Sequence, residues 1–145
     1  MIYLHKNGVT IIADKKAKVG QTYELNSEKY LVVNRKMLEN LVNSGKDVTK
    51  VVTTRVNMML FLFAGETNFN QDISSWDVSN VIDMSVMFNS ALNFDQPIGD
   101  WDVSNVNDMY GMFNAANSFN KPIGNWDVSN VTNMGTMIRS AYDFN

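Results

Sequence analysis

Apolar residues along this chain keep two different rhythms, and the change comes near residue 50. From Val51 onward they return every 25 residues. Trp76, Trp101 and Trp126 head three copies that each open with WDVSNV. Behind them run the columns Val78/Val103/Val128, Val81/Val106/Val131, Met84/Met109/Met134, Met87/Met112/Met137, Phe88/Phe113/Ile138 and Phe94/Phe119/Phe144. Ile73/Ile98/Ile123 form a further column near the end of each copy. A shift back by one period places Val51, Val56, Met59 and Phe63 in the same columns, so the copies are 51–75, 76–100, 101–125 and 126–145. One copy has too few apolar residues to make a core alone. Stacked, the columns join into a continuous one.

Within a copy, DMSVMF (Asp83 to Phe88) reads as a short helical turn, with Asp83, Asp108 and Asn133 as N-caps and the Met pairs at i and i+3 on one side. Ala91, Ala116 and Ala141 are small where neighbouring copies approach. The segments 69–73, 94–98 and 119–123 read as short strands pairing side by side at about 4.8 Å. Pro97 and Pro122 cannot donate to such a ladder and make it irregular. A period of 25 falls in the leucine-rich-repeat range of roughly 20 to 29, and the first copy is atypical, as end copies are. The expected fold class is α+β: a small N-terminal α+β cap followed by a short leucine-rich-repeat-like solenoid of short strands and helical turns.

Residues 1–46 form the cap in this reading, and 47–145 the array. IYLHKNGVTIIA predicts a hairpin turning at Asn7-Gly8, and QTYELNSEKYLVV a second turning near Asn26-Ser27. Met37, Leu38, Leu41 and Val42 stand at helical spacing, so a helix is predicted over Arg35 to Asn43, with Asn34 as its cap and Gly45 as its stop.

Composition narrows the function classes. The net charge is −3 and no Lys/Arg run occurs, which argues against nucleic acid and against a basic membrane patch. No cysteine is present, so disulfides, thiolate metal sites and a Cys nucleophile are excluded. The longest apolar run, Met58 to Ala64, is far shorter than the roughly 20 residues a membrane helix needs, and no membrane insertion is expected. The N-terminus does not read as a signal peptide.

Candidate chemistry is sparse. The Asp77/Asp102/Asp127 column could stack carboxylates around calcium, or each Asp could accept backbone N–H bonds in its DVSN turn. The lack of a Gly-x-Gly-rich turn favours the second. Ser79, Asn80 and their equivalents fit turn bonds or a polar ladder. The array methionines read as core filler rather than a soft-metal site, and the Trp column as a core ladder rather than a sugar groove. His5 is the single histidine, without nucleophile or acid placed beside it. No catalytic residue, metal or cofactor is expected.

WDVSNVTNM, the M-x-x-MF pairs and FNQDIS closely resemble the 25-residue repeat of BspA-like surface proteins, over residues 51–145. The segment from Asn7 to Leu38 is similar to a leader module found before such repeats in flavobacterial proteins and their phages. The resemblance implies a leucine-rich-repeat-like solenoid, surface adhesion or binding for many members, and no catalytic residues.

The expected function is therefore a non-enzymatic binding or adhesion module that holds a protein or glycan on its repeat surface. The alternative is a structural virion or filament subunit whose array mediates assembly. Columns that change between copies are free to serve a partner, and they nominate Val86, Leu92, Tyr110, Asn117 and Tyr142. The fourth copy stops at AYDFN, so Met134, Met137, Ile138 and Phe144 are expected at an exposed end that another copy or another subunit covers. The expected location is virion-associated or extracellular by a route other than a signal peptide, and otherwise cytoplasmic.

Overall fold

The computed structural model describes residues 1–139. Its regular elements come early: β1 (Ile2–Leu4), β2 (Ile11–Ala13), β3 (Thr22–Leu25), β4 (Glu28–Val32), α1 (Arg35–Asn43) and β5 (Val51–Val52). β1 and β2 pair antiparallel, across a loop in which the Asn7 carboxamide oxygen accepts the N–H groups of Val9 and Thr10, both at 3.0 Å. β3 and β4 form a second antiparallel pair, turning where Asn26 and Ser27 both take positive φ. β5 adds parallel to β4 after α1 crosses between them.

The helix follows from local rules. The Asn34 side chain accepts the Met37 N–H at 3.0 Å, which satisfies one orphan donor of the first turn. Leu38 and Val42 are buried on one face, with Met37 and Leu41 packed beside them. Gly45, at φ +65°, turns the chain out of the helix.

Beyond β5 the expectation of a leucine-rich-repeat-like solenoid is corrected. Among the described residues, the only helix and both small sheets lie within 2–52. The repeats contain turns and three isolated parallel bridges, Met58↔Asp83, Asp83↔Asp108 and Asp108↔Asn133. Among the described residues no strand ladder closes them into such a solenoid, and the architecture is strand-dominated with one short helix.

The reason lies in the backbone. Val86 and Ser90 both take φ +59°, and a right-handed helix cannot pass through either. Alternate N–H groups therefore leave the turn and reach the next repeat: Met84 to Asp108, Val86 to Tyr110, Phe88 to Met112 and Ser90 to Asn114 carbonyls, at 2.7–2.9 Å. The intervening Met87 and Asn89 bond three residues back instead. The strands expected at 69–73, 94–98 and 119–123 fail for a second reason. The proline positions have no donor, and side chains take over. The Asn70 carboxamide oxygen accepts the Asp95 N–H, and the Asp95 carboxylate accepts the Asn120 N–H, both at 2.9 Å.

What joins the repeats is a core. The Phe63, Phe88 and Phe113 rings stack at 5.3 and 5.5 Å, and Phe69, Phe94 and Phe119 at 5.9 and 5.8 Å. Each such pair adds about 0.5–1.5 kcal/mol beyond burial. Each indole N–H donates to a carbonyl 28 residues earlier in the chain: Trp76 to Val48, Trp101 to Ile73 and Trp126 to Ile98, at 3.0–3.1 Å.

Candidate functional site

Polar residues of each copy first serve its own turns. The Asp77 carboxylate accepts the Ser79 N–H and hydroxyl at 3.1 and 2.6 Å, and the Thr54 hydroxyl at 2.6 Å. Asp102 repeats the Ser104 bonds, and Asp127 accepts the Ser129 N–H. The Ser129 hydroxyl and N–H hold the Asp127 carboxyl below the usual carboxylate range. Asn80, Asn105 and Asn130 donate to the Thr54, Ser79 and Ser104 carbonyls of the preceding copies, a polar ladder at 2.6–3.0 Å. Asp83 and Asp108 accept the N–H two residues on, both at 2.8 Å, so they cap turns and not helices.

The methionines of the second and third copies, Met84, Met87, Met109 and Met112, are fully buried, as are Trp76 and Phe88. His5 lies in a cleft of about 150 Å³ beside Asn7, Thr10, Asp77, Ser79 and Asp102. Among the described residues no group of three His, Asp or Glu is arranged to hold a metal ion.

The columns on the turns differ, and they reach the surface at Phe61 and Thr136. Phe61, Val86, Gly111 and Thr136 occupy one column, and all four take positive φ, between +52° and +60°. Gly111 is at ease there. Phe61, Val86 and Thr136 each cost roughly 1–2 kcal/mol in that region, and a β-branched residue in it is an outlier. The column is continuous, because a side chain at Gly111 would touch the Thr136 hydroxyl at 3.6 Å and Val86 Cγ2 at 3.9 Å. Beside it Tyr110 lies against Gly135, its ring only 3.0 Å from where a Cβ would sit. Phe61 is 58% exposed, Tyr110 45% and Ile82 42%.

Of the residues nominated from the sequence, the structure brings Val86 and Tyr110 together on this turn ladder, the Val86 N–H donating to the Tyr110 carbonyl at 2.7 Å. Leu92 is exposed and Asn117 half-buried on a second column, where Ser118 N–H donates to the Leu92 carbonyl at 3.2 Å. Met134 and Ile138 are exposed and Met137 is half-buried. Tyr142 and Phe144 lie outside the described residues. Phe61 and Ile82 were missed. The signal was present, since the 25-residue offset from Val86 leads to Phe61. Arg35 was missed as well. Its guanidinium donates to the Met58 and Leu60 carbonyls at 3.1 and 3.0 Å. In the next copies these positions, Asp83 and Ser85, accept backbone N–H groups of the repeat before.

Comparison with known proteins adds one finding. A family model described as "Mycoplasma protein of unknown function, DUF285" matches residues 34–145, starting at the cap of α1. No curated protein and no solved structure matches the chain.

Proposed function

The chain belongs to the mycoplasma family of unknown function DUF285, and on that footing we propose that it is a non-enzymatic binding module whose repeat surface attaches to a partner. A closer placement among BspA-like surface proteins is part of the same proposal; the WDVSN and M-x-x-MF columns support it. One observation carries the functional reading. Buried columns hold the same residue type from copy to copy, whereas the column Phe61, Val86, Gly111, Thr136 changes and keeps side chains at three of its four positions, where glycine would avoid the φ penalty. Strain of this kind persists only where surrounding structure holds it, and it gathers at functional sites. The Asp77 and Asp83 carboxylates serve their own turns, and the Asn80 amide bonds to the copy before.

Retention on surfaces tests the proposal. Purified protein is applied to epithelial and bacterial cells and to immobilised extracellular-matrix protein, with Tyr110→Ser and Phe61→Gly in parallel. The expected result is retention on at least one surface, and release of both variants with unchanged circular dichroism. Absence of retention everywhere, or full retention of both variants, overturns it.

A further inference from the structure

Resting on the binding-module reading, we infer that the side of the repeats carrying Phe61 and Tyr110 holds a neutral, extended, β-linked polysaccharide lying along the stacking direction.

Charge is the first argument. The three columns that begin at Asn57, Leu60 and Phe61 contain no charged residue in any of the four copies, in a chain that is 19% charged. Within these columns an acidic or basic partner finds no counter-charge, and Arg35 at their first-copy end is committed to the Met58 and Leu60 carbonyls and to Glu39; a neutral partner needs none. The bordering carboxylates of Asp83 and Asp108 are turned into their own copies, Asp83 to the Ser85 hydroxyl at 2.6 Å and Asp108 to the Tyr110 N–H at 2.8 Å.

Side-chain chemistry is the second. Two exposed aromatic rings, Phe61 and Tyr110, share this side with the exposed amide of Asn107 and hydroxyl of Thr132. A pyranose ring carries apolar C–H faces and a rim of hydroxyls. Aromatic rings cover the faces, and short polar side chains meet the rim. Arginine, which protein interfaces favour, is absent from all three columns.

Spacing is the third. Successive copies advance by 5.3 to 5.5 Å, measured between the stacked Phe63, Phe88 and Phe113 rings. That step is close to the length of one sugar in an extended β-1,4-linked chain. Phe61 and Tyr110 stand two copies apart in adjacent columns. In such a chain each sugar is turned over relative to the last, so every second unit presents the same side. One ring per two copies matches that alternation.

Calorimetry with cellohexaose and with the hexamer of β-1,4-linked N-acetylglucosamine tests the inference. Maltohexaose serves as the curved control and polygalacturonate as the anionic one. At least one β-linked hexamer should bind, and neither control should. Phe61→Gly should weaken binding about tenfold or more, as loss of a central aromatic anchor does, while the melting temperature stays or rises. Tyr110→Phe should keep most of the affinity and Tyr110→Ser should lose it. The inference is overturned if neither β-linked hexamer binds, if maltohexaose or polygalacturonate binds as well, or if Phe61→Gly binds like the parent. The cell-retention assay separates the two levels. Protein retained on cells through Phe61 and Tyr110, but indifferent to both hexamers, removes the polysaccharide and leaves the binding module. Protein that neither cells nor hexamers retain removes both.

Discussion

Val86 and Gly111 occupy the same column with nearly the same φ, +59° and +60°, yet only one of them is comfortable there. This makes a matched pair of substitutions. Val86→Gly removes a backbone penalty of about 1–2 kcal/mol and loses part of a half-buried side chain, so it should leave the melting temperature unchanged or raise it by a few degrees. Gly111→Val places its Cβ at ordinary contact distances but acquires the backbone penalty, and it should lower the melting temperature. Calorimetric scans of the two proteins check the opposite signs. Asp127 supports a second prediction at this scale. Its folded pKa is depressed by Ser129, so its contribution to stability is present above the ordinary value of about 3.9. That contribution is lost as the pH falls through the folded value. Ser129→Ala should move the Asp127 titration back up toward the ordinary value, read by carboxyl-carbon NMR, and should shift acid unfolding to higher pH.

Among the elements, the first repeat has a problem the others lack, since no repeat stands before it to donate to Met58 and Leu60. The Arg35 fork supplies both donors from the first turn of α1. Arg35→Ala should therefore cost about 2 kcal/mol, typical of bonds to a charged group. Hydrogen exchange should rise in the first repeat before the later ones. Arg35→Lys should recover less than half, because a point charge cannot span two carbonyls as a planar fork does. The helix itself was legible in the sequence. Asn34, Gly45 and the spacing between them are each decided by a short-range rule, and the structure places the helix over the expected residues. The two hairpins were legible for the same reason. The turns of the repeats were not. Left-handed positions usually announce themselves as glycine, and here Phe61, Val86 and Thr136 conceal them, leaving Gly111 as the column's single marker. The columns proposed for binding were nominated in part from the sequence, because Val86 and Tyr110 change between copies. Phe61 escaped because the first copy lacks the WDVSN signature that makes the others easy to align.

For the molecule as a whole, one hydrophobic cluster runs from Val33 beside α1 to Trp126 in the fourth copy, so damage in the middle is not local. Met112 is fully buried in that cluster. Met112→Lys places an unpaired charge there at a cost of several kcal/mol, and it should abolish the cooperative melt seen by circular dichroism. The Asp77/Asp102/Asp127 column gives the opposite kind of forecast. Its oxygens already accept hydroxyls and N–H groups. Chelator and millimolar calcium should therefore give the same melting temperature, since a ligand shifts stability only if it binds the folded state.

The bonds between copies also bear on how such a gene could change. Thr54 donates to Asp77, Asn80 to the Thr54 carbonyl, and Trp101 to the Ile73 carbonyl. Each partner has a chemical twin one period away. If residues 76–100 are excised, Ser75 is followed by Trp101, and Asp102, Asn105 and Trp126 inherit the same neighbours' roles. Interactions in repeat arrays are nearest-neighbour, so the shortened chain should still fold, with a smaller unfolding enthalpy and a single transition. Unequal crossing-over between the near-identical WDVSN segments would then lengthen or shorten the protein in whole steps without a misfolded intermediate form. The reach of its outer face would be a quantity that recombination adjusts, while the chemistry of each step stays the same.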